Sequence, residues 1–169
     1  MFLSVFDMFK VGIGPSSSHT MGPMVAAKRF LQSLKNSPFN YSGVRVTLYG
    51  SLAFTGKGHA TDRAVILGLA NFSPDTYDPL ASEKAIQSIT EEKFIRSDDL
   101  GDLSFDPQKD LKFDYGPPLS GHPNGIIFTG LDDRGDTLFQ ETYYSIGGGF
   151  VLTSDELAAG KDKDEGPEV

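Results

Sequence analysis

Gly125-Ile126-Ile127-Phe128-Thr129-Gly130-Leu131 and Thr137-Leu138-Phe139-Gln140-Glu141-Thr142-Tyr143-Tyr144-Ser145-Ile146 flank the short polar run Asp132-Asp133-Arg134-Gly135-Asp136. This pattern reads as two antiparallel strands joined by a tight turn, with Gly135 able to take positive φ. Upstream, Leu111-Lys112-Phe113-Asp114-Tyr115 and Val44-Arg45-Val46-Thr47-Leu48-Tyr49 alternate apolar and polar positions, as half-buried strands do. Met21, Met24, Ala27, Leu31 and Leu34 recur at helical spacing within residues 16–34, with Pro23 in the first turn. A second helix is expected over residues 58–69. A shorter one, over 78–89, has Asp78 as cap and Pro79 at its first position. Residues 91–110 are charged and irregular and read as a surface excursion. Gly147-Gly148-Gly149 ends the sheet as a tight turn, and from Thr153 the chain reads as a charged linker or tail. The first two strands are joined by a right-handed crossover, or else the sheet is mixed. The expectation is an α/β (α+β) fold in the order α-β-α-β-β-β: a two-layer sandwich of helices on a mixed four-stranded sheet.

The chain has 169 residues, about one domain, with 38% hydrophobic and 22% charged residues. Its net charge of −8 argues against a nucleic-acid surface, which needs clustered Lys and Arg. Its longest apolar run, residues 64–70, is far too short for a membrane span. Residues 1–10 lack the basic start of a signal peptide, so a cytoplasmic location is expected. Zero cysteines remove disulfides, thiolate nucleophiles and thiolate metal sites together.

Chemistry concentrates in the loops. Gly12-Ile13-Gly14-Pro15-Ser16-Ser17-Ser18-His19-Thr20-Met21-Gly22-Pro23 places hydroxyls, an imidazole and backbone N–H groups before a helix, a seat for a carboxylate or phosphate. Taken alone, the same serines read first as helix caps. The three histidines, His19, His59 and His122, all sit beside or near glycine at loop–helix junctions or in loops. Loops at one edge of an α/β layer converge, and histidine is suited to proton transfer near neutral pH, so a shared site is expected. The spacing has no helical His-x3-His pair for zinc, and Gly50 to Lys57 lacks the spacing of a phosphate-binding P-loop.

That first loop, together with Tyr49-Gly50-Ser51-Leu52-Ala53-Phe54-Thr55-Gly56-Lys57-Gly58-His59-Ala60-Thr61-Asp62 and Gly121-His122-Pro123-Asn124-Gly125, closely resembles the β domain of iron–sulfur L-serine dehydratases of the single-chain bacterial type. Ser4-Val5-Phe6-Asp7-Met8-Phe9-Lys10 and Ser145-Ile146-Gly147-Gly148-Gly149-Phe150 carry the same likeness. The resemblance implies a lyase converting L-serine to pyruvate and ammonia. It uses a 4Fe–4S cluster held by cysteines of a separate α domain, and the enzyme is a dimer. It also implies a fold like the allosteric substrate-binding domain of phosphoglycerate dehydrogenases. Residues 1–152 would form the β domain, and 153–169 a charged linker to an α domain absent here. Without cysteine, this chain is expected to bind no cluster and to be inactive alone. Carried over residue by residue, His19, His59 and His122 would handle protons or orient substrate. Ser16, Ser17, Ser18, Thr20, Lys57, Thr61, Asp62 and Asn124 would hold L-serine, with Asp62 and Asn124 also backing the histidines. Lys57 and Asp62 read equally as an ordinary surface pair. A regulatory serine-binding and dimerisation module without catalytic residues is the alternative, and a phosphate-binding enzyme a weaker one.

Overall fold

The sheet is built around β1 (Gly43–Tyr49), whose Val44, Val46 and Leu48 are completely buried on one face. The computed structural model of the chain describes residues 18–56 and 60–164. Beyond β1, the described strands are β2 (Phe94–Ser97), β3 (Gly101–Ser104), β4 (Leu111–Asp114), β5 (Gly125–Leu131), β6 (Thr137–Gly147) and β7 (Phe150–Thr153). The helices are α1 (Met21–Lys35), α2 (Ser51–Gly56), α3 (Thr61–Leu69), α4 (Pro79–Glu92) and α5 (Ser154–Asp164).

One edge of β1 pairs antiparallel with β5, setting Val46 opposite Phe128. The other edge is shared by two short strands in succession, both parallel to β1. β3 meets it at Gly43, and β4 runs along it from Val46 to Tyr49. The turn between them is stapled to the sheet by the Val46 N–H, which donates to the Asp110 carbonyl at 2.8 Å. The complete order is β2-β3-β1-β5-β6-β7, with β4 beside β1. The sheet is therefore mixed, as expected, but seven-stranded rather than four-stranded.

The three additional strands have a common physical origin. Each buries a single side chain, so no apolar alternation declares itself. Ile95, Leu103 and Val151 are the buried residues of β2, β3 and β7. Residues 91–110 are thus largely an antiparallel hairpin rather than an excursion, and the triglycine turn adds a strand instead of ending the sheet.

α1 lies across β5, β6 and β7 and packs on α3. Phe30 is fully buried and stacks on Phe128 at 5.1 Å and on Phe139 at 6.1 Å. At the α1–α3 crossing the helices approach so closely that a Cβ on Gly68 would stand 2.3 Å from the Met24 carbonyl oxygen. α4 starts as expected: Asp78 accepts the Ala81 N–H at 2.8 Å, with Pro79 next in the chain.

The segment read as a linker continues as α5. Thr153 and Glu156 form a reciprocal cap: the Thr153 N–H donates to Glu156 Oε1 at 2.8 Å, and the Glu156 N–H donates to Thr153 Oγ1 at 3.1 Å. Arg29 of α1 clamps the helix start by donating to Glu156 Oε1 and to the Val151 carbonyl. The Thr153 N–H, and after it Arg29, hold the Glu156 carboxyl below the usual glutamate range. A depressed folded-state pKa gives stability that is present above the unfolded value, about 4.3, and lost as pH falls through the folded value. Thermal melts from pH 6 to pH 3 are therefore expected to show a smaller acid loss in Glu156→Gln than in the parent. Identical acid limbs would contradict the clamp.

Candidate functional site

The C-terminal ends of β1, β4 and β6 and the N-terminal end of β5 lie at the same edge of the sheet. At that edge Gly50 carries the chain from β1 into α2 with φ of +59°. A Cβ there would stand 2.2 Å from the Pro123 carbonyl oxygen, so only glycine lets the loop at 121–125 close on β1. The contact is used: the Ser51 N–H donates to the Pro123 carbonyl at 2.9 Å.

From there a chain of hydrogen bonds runs round the site and returns on itself. His19 Nε2 meets Ser51 Oγ at 3.0 Å, and His19 Nδ1 meets Ser18 Oγ at 2.9 Å. Ser145 Oγ donates to the Ser18 carbonyl at 2.7 Å. The Ser145 N–H donates to the Asn124 carbonyl at 3.0 Å, and Asn124 Nδ2 donates to the Ser145 carbonyl at 3.1 Å. Asn124 follows Pro123, which closes the circuit to Ser51. Four separate segments are locked to one another, and such a circuit strengthens each of its members.

His122 is tied to this arrangement through Asn124 in the 121–125 loop, with a defined proton. Its Nδ1 accepts the Asn124 N–H at 3.0 Å. A backbone N–H can only donate, so the neutral ring carries its proton on Nε2. Nε2 is then a hydrogen-bond donor, and the ring can act as a base only by giving up Asn124. The Tyr144 ring lies 6.5 Å away, and its tip fills the space a Cβ on Gly121 would need.

The structure thus brings Ser18, His19, His122 and Asn124 together. Thr20, at the start of α1, is fully buried next to them in sequence. Ser16, Ser17, Lys57 and His59 lie outside the described residues. Thr61 opens α3 after Ala60, which holds φ of +65°. Its Oγ1 is buried with no hydrogen-bond partner among the described residues. Asp62 Oδ1 accepts the N–H of Arg63, whose guanidinium pairs with Glu83. No described hydrogen bond ties Thr61 or Asp62 to the circuit. Among the described residues no three His, Cys, Asp or Glu side chains converge on a metal position.

An unpaired buried hydroxyl costs about 1–3 kcal/mol. Thr61→Val, which keeps the shape and removes that hydroxyl, is expected to stabilise the isolated chain by about 1 kcal/mol, near the low end of that range. A drop in melting temperature would show that the hydroxyl has a partner.

Ser51 and Ser145 were not among the expected site residues, although both lie inside motifs that carry the resemblance. Ser145 is a fully buried serine in a strand, which is itself an indication of a dedicated partner. A cavity of about 330 Å³ lies at the other end of the sheet, lined in part by Lys35, Asn71, Arg96, Asp98 and Asp99. Its Lys35 and Asp99 are paired with each other at 3.2 Å, and none of the described residues expected in the site lines it.

Residues 4–156 match the family described as serine dehydratase beta chain. The chain is 42% identical over 154 residues to the L-serine dehydratase of Helicobacter pylori strain ATCC 700392 / 26695, covering 91% of this chain and 34% of that protein. It is 43% identical over 165 residues to the L-serine dehydratase of Haemophilus influenzae, covering 95% and 35%. L-serine dehydratase 2 of Escherichia coli K12 is 43% identical over 159 residues, covering 92% and 34%. The chain spans about a third of the length of these relatives.

Proposed function

The chain belongs to the serine dehydratase beta chain family, and on that premise we propose that it is the β domain of an L-serine dehydratase, supplying one wall of the site that converts L-serine to pyruvate and ammonia. The observation that carries this reading is the closed circuit through Ser18, His19, Ser51, Asn124 and Ser145. It holds two histidines from distant segments at one edge of the sheet.

In this reading, N–H groups at the start of α1 and the hydroxyls of the 16–20 segment receive the serine carboxylate. His122 serves as a hydrogen-bond donor from Nε2 to the departing hydroxyl, because Asn124 occupies Nδ1. Removal of the α-proton then falls to His19 or His59. The serines around His19 hold its ring orientation, whichever tautomer it takes.

The resemblance implies a 4Fe–4S cluster, which acts on a substrate hydroxyl as a Lewis acid. The donors of this chain do not fit one: it has no cysteine. The cluster is assigned to the other two thirds of the protein, an α domain, and no step here passes through it. L-serine, that α domain and a second copy are the partners, and the cytoplasm the location. The likeness to the substrate-binding domain of phosphoglycerate dehydrogenases belongs to the same proposal.

The test is pyruvate formation from L-serine under anaerobic conditions, with iron and sulfide supplied. Turnover is expected from this domain joined to the remaining two thirds, and none from the chain alone. Pyruvate from the chain alone would overturn the assignment of roles between the domains. Serine binding to the chain, with pocket variants that leave the maximal rate of the joined protein unchanged, would favour the regulatory module instead.

A further inference from the structure

The polar circuit is flanked by exposed apolar side chains. Phe54 of α2 is 61% exposed and Tyr115, just past β4, is 52% exposed. Their rings meet edge to face at 5.4 Å, and Tyr115 also stacks on Phe113. On the far side of the circuit, Ile146 near the end of β6 and Phe150 at the start of β7 are 43% and 70% exposed. The strand register puts these residues at the same end of the sheet as Ser51, Asn124 and Ser145. The other large exposed apolar residues among those described, Phe39, Leu80 and Phe94, are scattered over the loop before β1, α4 and β2.

Isolated exposed hydrophobics are ordinary on a protein surface, but their gathering around a polar centre is not. Aromatic residues around a fixed set of hydrogen-bonding groups are the composition of an interface core that is covered in the working molecule. Water excluded by such a cover would strengthen the interactions of the circuit and of His122 beneath it.

We propose that Phe54, Tyr115, Ile146 and Phe150 form a docking rim, and that its occupant is the polypeptide corresponding to the other two thirds of the relatives, seated over the His19–His122 edge. Two observations choose this occupant. The relatives are about three times as long as this chain, so a partner of that size exists in each of them. α5, which follows β7, runs beside the site loop, with Leu157 placed against Gly121, so the chain beyond the sheet is already directed to this edge. The inference rests on the proposed function, because it makes the rim the seal of a site shared between two domains.

Hydroxyl-radical footprinting tests it, on the 1–169 chain and on the same chain joined to the remaining two thirds. In the joined protein, labelling of Phe54, Tyr115 and Phe150 is expected to fall to the level of buried Phe30, while Phe39, Leu80 and Phe94 stay reactive. Equal labelling of the rim in both proteins would overturn the proposal. Protection in the 1–169 chain alone, growing with concentration alongside a dimer in light scattering, would overturn it in favour of a second copy. Serine turnover is scored on the same joined sample. A reactive rim with turnover intact refutes the docking surface alone, whereas a protected rim without turnover supports docking and refutes the proposed function.

Discussion

His122→Ala is expected to lower serine turnover by the joined protein at least about 10²-fold, the usual scale for loss of one hydrogen-bond donor to a developing negative charge. The effect should appear in kcat, because the proton at Nε2 matters most as the hydroxyl departs. The fold should survive. The ring is half-buried in a surface loop, and its removal leaves one N–H, that of Asn124, to find water. Circular dichroism and a melting curve check the fold, and steady-state kinetics with saturating L-serine reads the effect. A kcat within a few-fold of the parent would show that His122 only shapes the loop. Asn124→Ala, which disturbs the same loop and also removes the Nδ2 bond to Ser145, gives the scale of a purely positional loss.

Phe30→Ala is expected to cost about 3–5 kcal/mol of folding stability. The lost transfer free energy of a large ring adds to a cavity that cannot readily collapse, because its neighbours Phe128 and Phe139 are fixed on strands of the sheet. A domain of this size has only about 5–15 kcal/mol in total, so the variant stands near the edge of folding. Urea denaturation followed by circular dichroism measures the loss. Phe94→Ala, removing a ring that is 43% exposed at the sheet edge, is the control, expected to cost less than half as much. Equal costs for the two would contradict the placement of Phe30 as the bolt between α1 and the sheet. That bolt also matters to the site, since α1 begins directly after His19 and Thr20.

The parts of the fold that could be read from sequence are those whose inward positions repeat. Seven residues of β1 show three inward positions, and the hairpin at 125–146 adds a turn with a glycine where φ is +85°. β2, β3 and β7 bury one side chain each and so show no period. α2 is a six-residue helix whose Leu52 and Ala53 amount to a single buried turn. α5 is a different kind of miss. Its apolar content is low, but Thr153-Ser154-Asp155-Glu156 is a capping-box sequence that marks its start.

The site divides in the same way. His19 and His122 stood out because scarce histidines in turn-rich loops carry a signal of their own. Ser51 and Ser145 did not, because a serine beside a strand or within one announces nothing until its partner is known. Those partners lie 32 and 127 residues away in sequence. The role of His122 as donor likewise depends on a backbone N–H two residues on, which residue types alone do not reveal.

The central claim is that the edge bearing Ser18, His19, Ser51, His122 and Asn124 is a wall of the serine site. A crystal structure of this domain joined to the remaining two thirds, with an unreactive serine analogue bound, tests it most directly. The account predicts the analogue between the two domains, within hydrogen-bond distance of His122 or of the 16–20 segment. An analogue bound wholly within the other two thirds, with this edge of the sheet facing solvent, would contradict it.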